Sequence, residues 1–133
     1  MRLIATLMLI FIIGLLFMAN TGQDNVFFQL KRDLPFGDKI GHFMLFGGLA
    51  MLANFAVRFR HVAGFTWLQY GSVAVLALST LEEFSQIFIT TRTFSLYDLA
   101  ANFLGISLFT VLSIALGKAI PRYNQRLLQV TEP

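Results

Sequence analysis

The residues best suited to chemistry lie between Leu81 and Asn102, where ionisable side chains fall between two long apolar segments. Glu82 and Glu83 stand near the end of one segment, Asp98 near the start of the next, and a basic residue lies in the connection. Carboxyl groups that are poorly solvated shift their protonation, bind cations or act as acids and bases. We therefore predict the functional site in this stretch.

Polar residues also recur at a spacing of four. The pairs are Asp38 with His42, Glu82 with Gln86, and Asp98 with Asn102. Residues four apart share one face of a helix, so each pair forms a polar stripe. The stripes fall at the start of one apolar segment, the end of the next and the start of the last. We predict that three helices bring these stripes together at one depth.

Each candidate residue has a chemical role. The candidate catalytic residues are Glu82, Glu83, His42 and Asp98; the candidate substrate-binding or structural residues are Asp38, Lys39, Gln86, Arg92, Ser95 and Asn102. Arg92 could hold a carboxylate or phosphate with parallel hydrogen bonds, and Asp38 with His42 could transfer a proton. Ser95, three residues before Asp98, is typical of a helix cap.

Three alternatives stay open for this cluster: an enzyme site, a binding module, and an ion-pair scaffold that fixes helix packing. His42 with Glu82 and Asp98 could hold a divalent ion, but one histidine and no cysteine give a weak zinc signal. We therefore predict no metal ligand, and the sequence specifies no cofactor.

The composition indicates a membrane protein. Of 133 residues, 56% are hydrophobic and 13% charged, and the mean hydropathy is +0.71. Soluble domains carry about 25% charged residues. The net charge of +3 comes from basic residues that flank apolar segments, which argues against a nucleic-acid partner. The absence of cysteine excludes disulfides and thiolate chemistry.

Four apolar segments approach the roughly 20 residues that a membrane-spanning helix needs. They cover residues 3–19, 40–57, 65–88 and 98–117. The predicted fold is an all-α bundle of four transmembrane helices in a single domain, residues 1–133. Ala101 and Gly105 form a small-residue face for close helix contact.

The basic residues predict the orientation of this bundle. One side would carry Arg2, Arg58, Arg60, Lys118, Arg122 and Arg126, and the other Lys31, Arg32, Lys39 and Arg92. Because basic residues favour the cytoplasmic side, both termini should be cytoplasmic and the polar site should face outside.

Over residues 36–110 the chain resembles the VanZ-like family of small bacterial integral membrane proteins. The resemblance rests on Asp38-Lys39-x-x-His42-Phe43-x-x-Phe46, Glu82-Glu83-x-x-Gln86, and then Arg92, Ser95, Asp98, Asn102 and Gly105. It implies a multi-pass protein of the bacterial cytoplasmic membrane, in a family whose named member gives low-level teicoplanin resistance. The implied function is a site at the extracytoplasmic face that acts on an envelope or lipid-linked molecule, or affects glycopeptide susceptibility, with membrane lipids as partners.

Overall fold

A computed structural model gives the fold and describes Ile10, Gly14 and residues 36–89 and 93–128. Helix α1 covers Gly37–Ala56, a hairpin joins strands β1 (His61–Val62) and β2 (Phe65–Gln69), and α2 covers Tyr70–Ser85. A 3₁₀ turn over Gln86–Phe88 precedes α3 (Leu96–Ala119) and α4 (Pro121–Leu128). The predicted span at residues 3–19 lies outside the described residues.

Helix α1 ends where the backbone turns left-handed. The Val57 N–H still donates to the Ala53 carbonyl, but Arg58 and Phe59 have φ angles of 57° and 56°. Side chains with a Cβ rarely adopt that conformation, and it cannot continue a right-handed helix. The reversal starts the hairpin, in which His61 pairs with Gln69 and Val62 with Phe65 around Gly64 at φ 83°.

The hairpin overturns the prediction of a spanning helix over residues 65–88. The segment Phe65–Gln69 is an antiparallel strand, and the helix that follows has 16 residues. The missed signal is the run of aromatic and β-branched residues Phe65-Thr66-Trp67 directly after Gly64, because such residues next to a turn glycine are typical of a strand. Helix α2 alone falls short of the roughly 20 residues that a span requires.

Contacts between side chains fix the directions of the three long helices. The start of α1 meets the start of α3 through His42 and Asn102, and its end meets the end of α3 through Asn54 and Ser113. Helices α1 and α3 are therefore parallel. Ser72, near the start of α2, contacts Asn54, so α2 runs antiparallel to both.

Glycines allow α1 and α3 to approach closely. A Cβ built on Gly47 would lie 2.6 Å from the Phe109 ring and 2.9 Å from the Gly105 carbonyl oxygen, and one on Gly105 would collide with the Phe43 backbone. This agrees with the predicted contact face at Ala101 and Gly105, both of which are buried. The apolar core lies beside this crossing and comprises Phe46, Leu49, Ala50, Val75 and Ile106.

An aromatic cluster fastens the last helix to the hairpin end of the molecule. The rings of Phe55, Phe59 and Tyr123 meet edge to face, with centroids 4.9 to 5.8 Å apart. Phe59 is 1% exposed and lies against Gly117, where a side chain would collide with its ring. Pro121 begins α4 at the first helical position, where a missing N–H costs no hydrogen bond.

The predicted bundle of four transmembrane helices is wrong. Within residues 36–89 and 93–128, α1 and α3 are the two helices long and apolar enough to cross a membrane, judged by length and composition. They correspond to the predicted segments 40–57 and 98–117. Helix α1 begins before its predicted segment, and α3 extends beyond its segment at both ends. The rest of the described fold is one shorter helix, a two-stranded hairpin and a short terminal helix.

Candidate functional site

The starts of α1 and α3 and the end of α2 converge on one polar cluster. It contains Asp38, Lys39, His42, Glu82, Glu83, Gln86, Ser95, Asp98 and Asn102. We call this the acidic cluster. Of the predicted site residues, Arg92 alone lies outside the described residues, so its role as a clamp stays a prediction.

Two glutamates at the end of α2 are buried in the acidic cluster. Glu83 is 0% exposed and Glu82 8%. The Gln86 side-chain amide, carried by the 3₁₀ turn, donates to both, at 3.0 Å to Glu82 Oε1 and 3.3 Å to Glu83 Oε2. The Ser95 backbone N–H donates to Glu83 Oε1 at 2.8 Å. One amide group therefore links the two carboxyl groups.

An ion pair joins the first turns of α1 and α3. The Lys39 ammonium lies 3.1 Å from Asp98 Oδ1 and 3.6 Å from Asp38 Oδ2. Asp98 is buried, whereas Lys39 and Asp38 are partly exposed. Ser95 caps α3, since its hydroxyl accepts the Asp98 N–H at 3.3 Å. The cap predicted for Ser95 is therefore present.

A residue of α3 holds the ring of His42. Its Nδ1 lies 3.0 Å from Asn102 Oδ1, and both residues are buried. With the amide oxygen facing the ring, Nδ1 is the donor, and the lone pair of the neutral imidazole is on Nε2. Asp98 and Asn102 are both buried on α3, and this contact joins their helix to α1.

Carboxylate and imidazole ligand atoms come close in two groups. In the first, one atom each of His42, Glu82 and Glu83 lie within 4.8 Å of one another; in the second, Asp38, His42 and Asp98 do the same. Such an arrangement can share protons between carboxyl groups or hold a cation.

A second polar cluster, at the hairpin end, was not predicted. Asn54 donates to the hydroxyls of Ser72 at 2.8 Å and Ser113 at 3.0 Å, and accepts the Ser72 backbone N–H at 3.0 Å. The Ser72 and Thr110 hydroxyls also share a hydrogen bond. Small polar residues within apolar helices are the signal that could have revealed it, because such side chains hydrogen-bond across helices.

Comparisons with known proteins find one similar sequence and no function. The chain is 36% identical over 107 residues to a protein of Schizosaccharomyces pombe described as uncharacterized. The match covers 79% of this chain, and the chain spans 60% of the length of that relative. No protein-family model matches the chain, and no solved structure matches it either.

These comparisons overturn the VanZ-like identification. No VanZ-like family model matches, and the similar protein belongs to a fission yeast. The bacterial source, the bacterial cytoplasmic membrane and a link to teicoplanin rested on that resemblance and fall with it. The acidic cluster does not depend on it, because its geometry stands on the contacts described above.

Proposed function

We propose that the protein is embedded in a membrane and uses the acidic cluster to bind the polar end of a lipid-linked amphiphile. Helices α1 and α3 would cross the bilayer, with α2 returning between them. The observation that carries the proposal is a buried cluster of acids and histidine at one end of helices whose outer faces are apolar.

The distribution of side chains supports a lipid environment. The buried positions of α3 hold Asp98, Asn102, Thr110 and Ser113 together with small residues and Ile106, whereas its exposed positions are largely leucine, valine and phenylalanine. In the most apolar stretches of α1 and α3, 33% and 28% of residues are buried. The core helix of a soluble protein would bury its apolar residues, so lipid is the solvent that fits this exterior.

An apolar groove beside the acidic cluster supports an amphiphilic ligand. The groove lies between α2 and α3, has a volume of about 410 Å³, and is lined by Leu76, Thr80, Leu96, Leu99, Ala100 and Phe103. Thr80 lies about one turn before Glu83 on α2, and the lining residues of α3 lie near its start with Asp98, so the groove is at the same end of these helices as the acidic cluster. We expect a hydrocarbon chain in the groove to bring a polar head to that end.

The scaffold remains the competing function, and one observation favours it. The contacts of Lys39 with Asp98, of Ser95 with Glu83, and of His42 with Asn102 all join different segments. Such contacts orient helices whether or not a ligand binds. The two functions make different predictions for a substitution that fills the groove and leaves the acidic cluster intact. It should remove lipid binding if the groove is a ligand site, and it should have no effect on lipid binding if the cluster is only a scaffold.

Photocrosslinking in membranes tests the proposal. Ala100 lines the groove and Ala115 is exposed elsewhere on α3, so Ala100→Trp and Ala115→Trp form a matched pair. With photoactivatable phosphatidylethanolamine as the probe, because carboxyl groups attract its ammonium group, we expect Ala100→Trp to reduce crosslinking to α2 and α3 at least about fivefold, the effect of losing roughly 1 kcal/mol of binding free energy. Ala115→Trp should match the wild type.

Equal crosslinking in the wild type, Ala100→Trp and Ala115→Trp, with labels spread over the exterior, would contradict the amphiphile site. The scaffold would then be the function that the structure supports. Photoactivatable diacylglycerol, which has no ammonium group, serves as the second probe. If it labels the groove as strongly as phosphatidylethanolamine does, the polar end of the ligand contributes nothing and the acidic cluster is not a headgroup site.

A further inference from the structure

One buried part of the acidic cluster combines three groups that ligate metals. His42 is 6% exposed, Glu82 8% and Glu83 0%, and their ligand atoms lie within 4.8 Å of one another. Imidazole nitrogen with carboxylate oxygens is a donor set that divalent transition ions accept. The three residues come from α1 and α2, so the geometry depends on the fold and not on one acidic run.

The orientation of His42 is that of a metal ligand. Its Nδ1 is engaged by Asn102 Oδ1, which fixes the ring and leaves Nε2 with the lone pair. Metal-bound histidines generally donate their other ring N–H to an oxygen in this way. The second group of acids is less suitable, because Lys39 already neutralises Asp98.

A second, independent observation concerns Asn102, which is 0% exposed. Its Oδ1 is used by His42, but its Nδ2 has no hydrogen-bond partner among the residues that the structure describes. A buried amide donor without a partner costs about 1–3 kcal/mol. An oxygen ligand on a metal ion, such as water or a phosphate oxygen, would supply the missing acceptor beside His42.

We propose that His42, Glu82 and Glu83 bind one divalent transition cation of the Zn²⁺ or Mn²⁺ class, with Asn102 positioning the imidazole. Three protein ligands leave coordination positions for an exogenous oxygen, the arrangement of reactive rather than structural metal sites. A nitrogen ligand disfavours Mg²⁺ and Ca²⁺, which take oxygen ligands. The site extends the proposed function but does not require it, since metal can bind without lipid.

The first test is a metal titration of the full chain in detergent after chelator treatment, by calorimetry with Zn²⁺ and with Mn²⁺. We expect one equivalent to bind. His42→Gln and Glu83→Gln should each weaken binding about 10- to 100-fold or more, the range seen for altered ligand surroundings. His61→Gln is the matched control, because His61 lies in β1 at the hairpin end, and it should bind metal as the wild type does.

A second measurement uses the wild type, in case the variants do not fold. Co²⁺ replaces Zn²⁺ as a spectroscopic probe. Bound through one imidazole and two carboxylates, it should give visible d–d absorption that saturates at one equivalent and disappears when Zn²⁺ is added. The absence of stoichiometric binding, a loss of binding in His61→Gln equal to that in His42→Gln, or Co²⁺ absorption that Zn²⁺ leaves unchanged would each overturn the proposal.

The outcomes are independent of those for the amphiphile site, because no lipid probe enters the metal titration. If metal binds but lipid crosslinking is the same in Ala100→Trp as in the wild type, the metal site is supported and the proposed function is overturned. Groove-specific crosslinking with no metal binding would do the reverse.

Discussion

Buried hydrogen bonds between side chains join the helices of this fold. In the membrane environment proposed above, apolar burial does not by itself hold helices together, so polar contacts and close packing must do so. Asn54 and His42 illustrate the point, since each joins α1 to α3 through a side chain of the parallel helix. The consequences can be measured one side chain at a time.

Ser113→Ala removes a buried hydroxyl that accepts from Asn54 and donates to the Thr110 carbonyl at 2.7 Å. We expect a loss of about 0.5–1.5 kcal/mol in the free energy of unfolding, the usual net value of a hydrogen bond. Ser107→Ala, at an exposed position of the same helix, is the matched control and should change stability little. Unfolding in mixed micelles followed by circular dichroism measures both. Equal changes in stability for Ser113→Ala and Ser107→Ala would show that the hydrogen bonds of Ser113 contribute no stability.

Lys39→Met leaves Asp98 buried without its cation, so it should destabilise the protein more than Lys118→Met, which removes an exposed lysine. Asp98→Asn in the Lys39→Met background should recover part of the loss. The double-mutant cycle should give a coupling of about 0.5–3 kcal/mol, as for other contacting pairs. A coupling near zero would mean that the ion pair is not formed in the folded protein.

Among the elements, the two long helices were predictable and the hairpin was not. A run without charged residues identifies α1 and α3 directly, because few soluble arrangements tolerate such a run. The segment after Arg60 is equally apolar, and apolar content alone does not separate a strand from a helix. The left-handed residues Arg58 and Phe59, which initiate the hairpin, have no glycine to mark them.

For the acidic cluster, the sequence predicted the members but not their partners. A spacing of four places two residues on one face of a helix, and Gln86 does bind Glu82 at that spacing. It cannot show which residue of another helix lies opposite. His42 therefore pairs with Asn102, and Lys39 with Asp98, through the relative positions of α1 and α3.

The crossing of α1 and α3 gives a test at the scale of elements. A Cβ on Gly105 would collide with the backbone of Phe43, whereas one on Gly48 would meet nothing within 4 Å. Gly105→Ala should therefore lower stability, because backbone must move. Gly48→Ala should be neutral or stabilise by up to about 1 kcal/mol through helix propensity. The same detergent unfolding assay ranks the two. A Gly105→Ala protein as stable as Gly48→Ala would place the helices further apart than the structure does.

Across the whole molecule, the acidic cluster and the hairpin lie at opposite ends of the parallel helices. Helix α1 has 20 residues, which at 1.5 Å per residue gives about 30 Å, the thickness of a bilayer's hydrocarbon core. The two ends of this helix should therefore face different compartments.

The chain contains no cysteine, so single cysteines can report on the sides of the membrane without altering the background. Thr93 lies near the acidic cluster and Ala63 in the hairpin turn, and both are exposed. In sealed vesicles, a membrane-impermeant maleimide should label Thr93→Cys or Ala63→Cys, but not both, until the vesicles are opened with detergent. Labelling of both in intact vesicles would contradict the membrane-crossing arrangement.

One further consequence follows from the position of Ser95. Its hydroxyl caps α3 while its backbone N–H holds Glu83, so a single residue links the tilt of a long helix to the placement of a carboxylate. Long apolar helices tilt to match the thickness of their bilayer. Thicker or thinner lipids should therefore shift the affinity of the site for its cation. Metal titrations in nanodiscs of graded acyl length would reveal that sensitivity, and an affinity independent of chain length would show that Ser95 does not transmit tilt.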